Sequence, residues 1–166
     1  MSEAKFTLGL QSEADLAAVE RLTERAFGPG RFARSAYRLR EGRNDDAGLS
    51  YVARAGTLLV GANRMTTIRI GNTPALILGP LVVEPAFRQL GLGEALVQKS
   101  LDAARDKGHR LVILVGDEAY YGRMGFQRVP DGRIDMPGPV DPERLLYCEL
   151  TAAAFDGVTG SVAGAD

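Results

Sequence analysis

The sequence predicts one α+β domain, a mixed and mostly antiparallel β-sheet flanked by helices, and three observations predict it. Strand-like runs between residues 51 and 83 follow one another through short turns, as in an antiparallel meander. An apolar run, an amphipathic helix and a second apolar run then fill residues 76–116, a βαβ-like unit whose two strands run parallel. The 166 residues contain no internal repeat and no linker, and they are enough to bury a core without staples.

Taken in order, "KFTLGL" alternates as a short strand does. In "SEADLAAVERLTERAF", Ser12 and Asp15 are spaced as a capping pair, and Leu16, Val19, Leu22 and Ala26 fall at helical spacing. "GPGRFARSAYRLREG" opens with a break and reads as a second short helix, Arg-rich on its polar side; "RNDDAG" is a polar loop. Residues 49–83 read as three strands, with turn signals at Ala55-Gly56 and Gly71-Asn72. Leu76 to Val83 is nearly all apolar, which suits a strand buried on both faces, and Pro85 stops it. The helix from Leu92 to Lys107 sets Leu96, Val97, Ser100, Leu101 and Ala104 on one face and Glu94, Lys99, Asp102 and Asp106 on the other. Gly108 takes its C′ position.

"RLVILVG" is a second buried strand, and "DEAYYGRMG" a short helix with Asp117 as N-cap and Gly125 as C′. "FQRV" begins another strand, and "GRIDMPGPVDPERL" is loop with room for a helical turn. "LLYCEL" alternates Leu146, Cys148 and Leu150 against Tyr147 and Glu149, as a half-buried strand should. The expected organisation is a domain over residues 1–152, with 153–166 a Gly-rich tail or a final edge strand.

Composition narrows the function classes. Lys+Arg number 20 against 21 Asp+Glu, so no global field argues for nucleic acid or an anionic membrane as partner. With one cysteine and one histidine, neither an internal disulfide nor a Cys/His zinc site can form, and no metal is expected. The opening "MSEAKFTLGL" lacks the apolar core of a signal peptide, and no apolar run has the length to cross a bilayer. A cytoplasmic location is the expectation.

The stretch "RQLGLGEALVQK" (88–99) carries the chemistry. A helix N-terminus offers unpaired N–H groups and partial positive charge, which suit a phosphate. Gly91 and Gly93 remove Cβ atoms from the path of approach, and Arg88 and Gln89 add donors. A dinucleotide fingerprint needs a third glycine where Leu96 stands, and a Walker A loop needs a Gly-Lys-Ser/Thr that is absent. By itself a Gly-x-Gly also simply starts a helix.

Two motifs in order decide the reading. Arg88, Gly91 and Gly93 satisfy R/Q-x-x-G-x-G/A between a strand and a helix, and Tyr121, Gly125 and Phe126 satisfy Tyr-x-x-x-Gly-Phe after the next strand. With these, the chain resembles the GCN5-related N-acetyltransferase (GNAT) family over roughly residues 5–150, most closely its YhbS-type members. The resemblance implies an acyl-CoA N-acyltransferase fold with a central, splayed parallel strand pair, and acetyl-CoA as co-substrate between those strands. It implies a pyrophosphate site on the backbone of Arg88, Gln89, Leu90, Gly91, Leu92 and Gly93. It also implies strand-like pairing of the pantetheine arm with Leu81, Val82 and Val83. Gly79-Pro80 would help the splay by interrupting the ladder.

The implied reaction is direct attack of a primary amine on the thioester in a ternary complex. The amide of Val82 or Val83 is the candidate donor to the carbonyl oxygen. Tyr121 matches the family tyrosine that protonates the departing thiolate, and it also touches the cofactor; packing beside Phe126 is its alternative role. Glu84, just after the cofactor strand, is the candidate general base, set against an exposed loop residue. Tyr120 reads as structural or as a cofactor wall, Asp117 as a helix cap, His109 as a strand-edge residue and Cys148 as a small core residue. Arg123 either touches the cofactor or faces water. The arginines of "RFARSAYRLR" (31–40) read first as a solvated helix face and otherwise as selecting an acidic acceptor; Arg64 and Met65 are candidates for the acceptor wall. The acceptor is a small-molecule or peptide amine, and an edge strand near the C-terminus would allow a homodimer. A catalytically idle acyl-CoA-binding module would carry the same cofactor site, and a nucleotide-binding domain is the third reading.

Overall fold

The computed structural model describes residues 6–27, 46 and 48–165. The Arg-rich segment 31–40 and most of the polar loop after it lie outside the described residues. Nine strands form among the described residues. They are β1 (Thr7–Leu10), β2 (Tyr51–Ala55), β3 (Leu58–Ile70), β4 (Thr73–Val83), β5 (Leu111–Val115), β6 (Gln127–Arg128), β7 (Ile134–Asp135), β8 (Leu145–Glu149) and β9 (Gly160–Gly164). The α-helices among the described residues are α1 (Leu16–Phe27), α2 (Leu92–Asp106) and the one-turn α3 (Glu118–Tyr121).

The sheet runs β1-β2-β3-β4-β5-β8-β6, and β9 pairs with the far end of β3. Every pairing in that run is antiparallel except β4 with β5. The two meander turns are the two-residue loops 56–57 and 71–72, the first one residue later than the sequence suggests. Gly56 and Gly71 take the positive φ (62° and 58°) that such tight loops demand.

α2 lies on one face of the sheet. Val97, Leu101 and Ala104 pack there with Leu76 and Leu78 of β4 and with Val112 and Leu114 of β5. α1 covers part of the other face, where Val19 and Leu22 meet Val52, Ala62 and Val82. The Ser12–Asp15 cap forms: the Asp15 carboxylate accepts the Ser12 backbone N–H at 2.8 Å and its hydroxyl at 3.1 Å. The expected apolar face of α1 is only half right, because Leu16 and Ala26 are exposed. A 3-10 turn over Glu13–Asp15 precedes α1 and turns Asp15 toward the sheet, where Arg54 of β2 pairs with it. Burial works to raise the Asp15 pKa, but the Ser12 hydrogen bonds and Arg54 outweigh it and hold the carboxyl below its ordinary value.

The rest of that second face is covered by the segment after β8. Ala154, Phe155 and Val158 are buried with Ile77 and Ile113, and Phe155 stacks on Tyr147 at 4.0 Å. The Arg133 guanidinium lies 4.3 Å from the centre of the Phe155 ring and donates to the carbonyls of Phe155 and Val158. Residues 153–166, read as a Gly-rich tail or a final edge strand, contain the strand β9 and, before it, a hydrophobic plug. Phe155→Ala should lower the unfolding free energy by about 3 kcal/mol, the cost of a large core cavity. Chemical denaturation measures it, and a loss below about 1 kcal/mol would show that the plug adds little to the core.

Candidate active site

The parallel seam between β4 and β5 is two residue pairs long, Leu76 with Val112 and Ile77 with Ile113. Beyond it the strands diverge, and the cause is local. In the β3–β4 register, Asn63 faces Leu81 and Met65 faces Leu78, so Gly79 and Pro80 together oppose Arg64 alone. This is a β-bulge, which bends its strand. Gly79 has φ +123°, a region that L side chains rarely adopt, and Pro80 donates nothing to a ladder.

The divergence opens a cavity of about 680 Å³. Leu81, Val83, Arg88 and Gly93 form one wall, and Gly116, Asp117, Tyr120 and Tyr121 another. α1 contributes Glu20, Thr23, Ala26 and Phe27, with Arg64 beside them, and the loop before β8 adds Pro139, Val140, Asp141 and Arg144. The side of α1 on which Ala26 breaks the apolar pattern is thus a cavity wall.

Strand alternation decides which backbone groups face in. The Glu84 N–H bonds the Val60 carbonyl of β3 at 2.8 Å, so with the β3–β4 register Val82 also turns its N–H and C=O toward β3. Leu81 and Val83 turn theirs toward the cleft. Of the two candidate amides, Val83 is the one aimed at the cavity; Val82 is committed to the sheet, with its side chain buried beneath α1. The Val83 carbonyl accepts the Arg88 Nε–H at 3.2 Å.

The chain leaves β4 through a 3-10 turn over Pro85–Leu90, and Gly91, at φ +76°, caps α2. The first bond of α2 runs from Ala95 N–H to the Gly91 carbonyl at 3.0 Å, so the amides of Leu92, Gly93 and Glu94 have no acceptor within the helix. Arg88, Gln89 and Leu90 are exposed on the turn, whereas the Leu92 side chain is buried and offers only its backbone. The two glycines differ. A Cβ on Gly91 would meet nothing within 4 Å, so its role is the left-handed backbone. A Cβ on Gly93 would lie 2.5 Å from the Tyr120 hydroxyl. Each glycine thus has a structural reason of its own, beside the expectation that both clear the way for a phosphate.

Tyr121 sits at the end of α3, whose N-cap Asp117 accepts the Ala119 N–H at 3.0 Å. Its ring packs against Phe126 at 5.9 Å and Tyr120 at 4.9 Å, both edge-to-face. It also rests on Gly116, where a Cβ would come within 2.5 Å and 2.9 Å of ring carbons. Sequence reasoning misses Gly116; the one signal that marks it is its place directly before the Asp117 cap.

Other candidates separate cleanly. Glu84 pairs with Arg25 of α1 and is not among the cavity-lining residues, which moves it away from the role of base. Arg64 lines the cavity, 7% exposed, with its Nη1 2.7 Å from Glu20, while Met65 is fully buried in the core and cannot form an acceptor wall. Arg123 pairs with Glu94 at 2.7 Å instead of lining the cavity. His109 sits just before β5, and Cys148 is buried, with burial pushing its thiol pKa up. Among the described residues, no group of three or more His, Cys, Asp or Glu side chains could hold a metal ion, and no helix is long and apolar enough to cross a membrane.

Comparison with known proteins agrees with this geometry. Residues 16–126 match the family model described as the acetyltransferase (GNAT) family. The uncharacterized N-acetyltransferase YhbS of Escherichia coli K12 is 32% identical over 85 residues, 51% of this chain and 51% of YhbS, so the match spans about half of that relative. The uncharacterized N-acetyltransferase YjhQ of the same strain is 29% identical over 175 aligned positions, 100% of this chain and 96% of YjhQ. Among solved structures, E. coli YhbS in complex with CoA superposes with a TM-score of 0.84 at 23% identity, covering 99% of this chain and 92% of that one, a likeness of fold. A GNAT family acetyltransferase from Brucella melitensis in complex with acetyl-CoA gives 0.63 at 26% identity, covering 92% of this chain and 99% of the other.

Gly116→Ala should destabilise the protein by about 1–3 kcal/mol, the usual cost of overpacking. In a Tyr121→Ala background that penalty should vanish, because the clashing atoms are gone. Denaturant titration of the four proteins measures this; a penalty that persists without the Tyr121 ring would instead fall on Leu114, 3.1 Å from the same point.

Proposed function

This chain belongs to the acetyltransferase (GNAT) family, and from that premise we propose that it transfers the acetyl group of acetyl-CoA to a primary amine in a ternary complex. The observation that carries the proposal is the bulge-driven splay of β4 from β5, with Leu81 and Val83 backbone facing the gap and Tyr121 across it. The cavity volume lies within the range of small-molecule and cofactor sites. The Brucella melitensis family member holds acetyl-CoA.

The residues present fit that co-substrate. The amides at the start of α2 offer donors to a diphosphate, the open space at Gly91 leaves the backbone approachable, and Arg88 adds a cation. The backbone of Leu81 offers strand-like pairing to an amide-bearing arm. Acetyl-CoA supplies a thioester carbon open to attack by an uncharged amine. On this reading the Val83 N–H stabilises charge that gathers on the carbonyl oxygen, and the Tyr121 hydroxyl donates a proton to the leaving sulfur. The acceptor, a small-molecule or peptide amine, is received between α1 and the loop before β8.

Among the described residues, each cavity-lining carboxylate has one partner: Glu20 on Arg64, Asp117 on the Ala119 N–H, Asp141 on the Glu143 N–H. Glu84 is on Arg25 and holds α1 against the end of β4. On this reading water in the open cleft takes the proton of the amine.

Tyr121→Phe should retain the stabilisation by acetyl-CoA, about 2.7 kcal/mol at 100 times Kd, while kcat falls by about 100-fold or more. Thermal shift and an acceptor screen measure the two. No shift with acetyl-CoA sinks the reading, and binding without turnover of any amine would favour an idle acyl-CoA-binding module. The rate should also rise with pH up to the pKa of the amine, about 10.4 for a lysine-type acceptor. A plateau at lower pH that Glu84→Gln abolishes would return Glu84 to the role of base.

A further inference from the structure

We propose that Tyr120 is a positioning residue, a wedge that sets the spacing between the start of α2 and Tyr121. Its hydroxyl is seated against the bare Cα of Gly93: a Cβ there would fall 2.5 Å from the oxygen and 3.7 Å from the ring carbon bearing it. Its ring meets that of Tyr121 at 89°, with centroids 4.9 Å apart. One side chain thus touches both the phosphate-binding turn and the proposed acid.

The wedge is held from outside. The Arg123 guanidinium lies 5.0 Å from the centre of the Tyr120 ring, its Nε–H donates to the Tyr120 carbonyl at 3.4 Å, and its Nη2 reaches Glu94 in the first turn of α2 at 2.7 Å. Both members of that ion pair are substantially exposed, so it contributes little by itself and the spacing falls to the Tyr120–Gly93 contact. Burial raises the Tyr120 pKa; Glu94 adds to this and Arg123 opposes it. The group in contact with the turn is a neutral hydroxyl. The second glycine of the turn is accordingly demanded by Tyr120, whereas the first is demanded by its φ.

A cycle of wild type, Gly93→Ala, Tyr120→Phe and the double variant tests this. In melting experiments without ligand, Gly93→Ala should lower Tm by about 5 °C in the wild-type background and by less than about 1 °C in the Tyr120→Phe background. There the nearest tyrosine-derived atom is at ordinary contact distance. An equal loss in both backgrounds overturns the wedge. The kinetic half rests on the N-acetyltransferase reading: Gly93→Ala should cut kcat at least about tenfold with acetyl-CoA Kd changed less than about threefold, and should cost less than about twofold in the Tyr120→Phe background. If Gly93→Ala instead weakens acetyl-CoA binding by the same factor in both backgrounds, Gly93 serves the phosphate directly and the proposal fails. If the wild type neither binds nor turns over acetyl-CoA, the functional reading fails, and the melting cycle still decides the wedge.

Discussion

The shortness of the β4–β5 seam is the constraint on which the rest depends. Leu76, Ile77, Val112 and Ile113 join the two halves of the sheet at its apolar centre, and the ladder stops there. Backbone groups left unpaired in a protein interior cost about 1–3 kcal/mol each, so a sheet parts only where something imposes it and something else can satisfy the groups released. Here the Gly79-Pro80 bulge imposes it, Arg88 satisfies the Val83 carbonyl, and the open cavity gives the remainder access to water or ligand.

Around that gap, glycine serves two different physical ends. Gly79 and Gly91 adopt positive φ, turning β4 away from β5 and capping α2. Gly93 and Gly116 have no such φ; each is bare because a tyrosine of α3 occupies the place of its Cβ. The tyrosine pair is therefore seated on backbone at both ends, on the first turn of α2 and at the exit of β5. A side chain resting on backbone has less room to shift than one resting on other side chains, which suits groups that must hold a fixed geometry.

Charged side chains pair across element boundaries. Arg25 with Glu84 and Arg64 with Glu20 fasten α1 to the sheet, Arg54 holds the capped start of α1, and Arg123 joins the α3 region to α2. The proposed chemistry itself falls to a backbone amide and a tyrosine hydroxyl.

Among the described residues, the sequence by itself determined most of the elements, with β7, read as loop, the exception. Apolar periodicity located α2 and its buried face, Ser12, Asp15 and Asp117 marked helix starts, Gly125 the end of the 3-10 turn Gly122–Met124 that follows α3, and the motif pair at Arg88–Gly93 and Tyr121–Phe126 pointed to the fold family. These are local signals, carried by residues a few positions apart, and spacing along the chain is enough to read them. Only the tertiary structure decided which backbone groups face the cleft, because the choice between Val82 and Val83 is set by the register with β3. It alone separated Gly91 from Gly93, since the atom that forbids a Cβ on Gly93 belongs to Tyr120, brought there by the strand β5 between them. It alone set Glu84 against Arg25, 59 residues away, and stacked Phe155 on Tyr147 in the core. Such contacts join residues held apart by intervening elements, and a single chain read in order carries no record of which distant residues will meet.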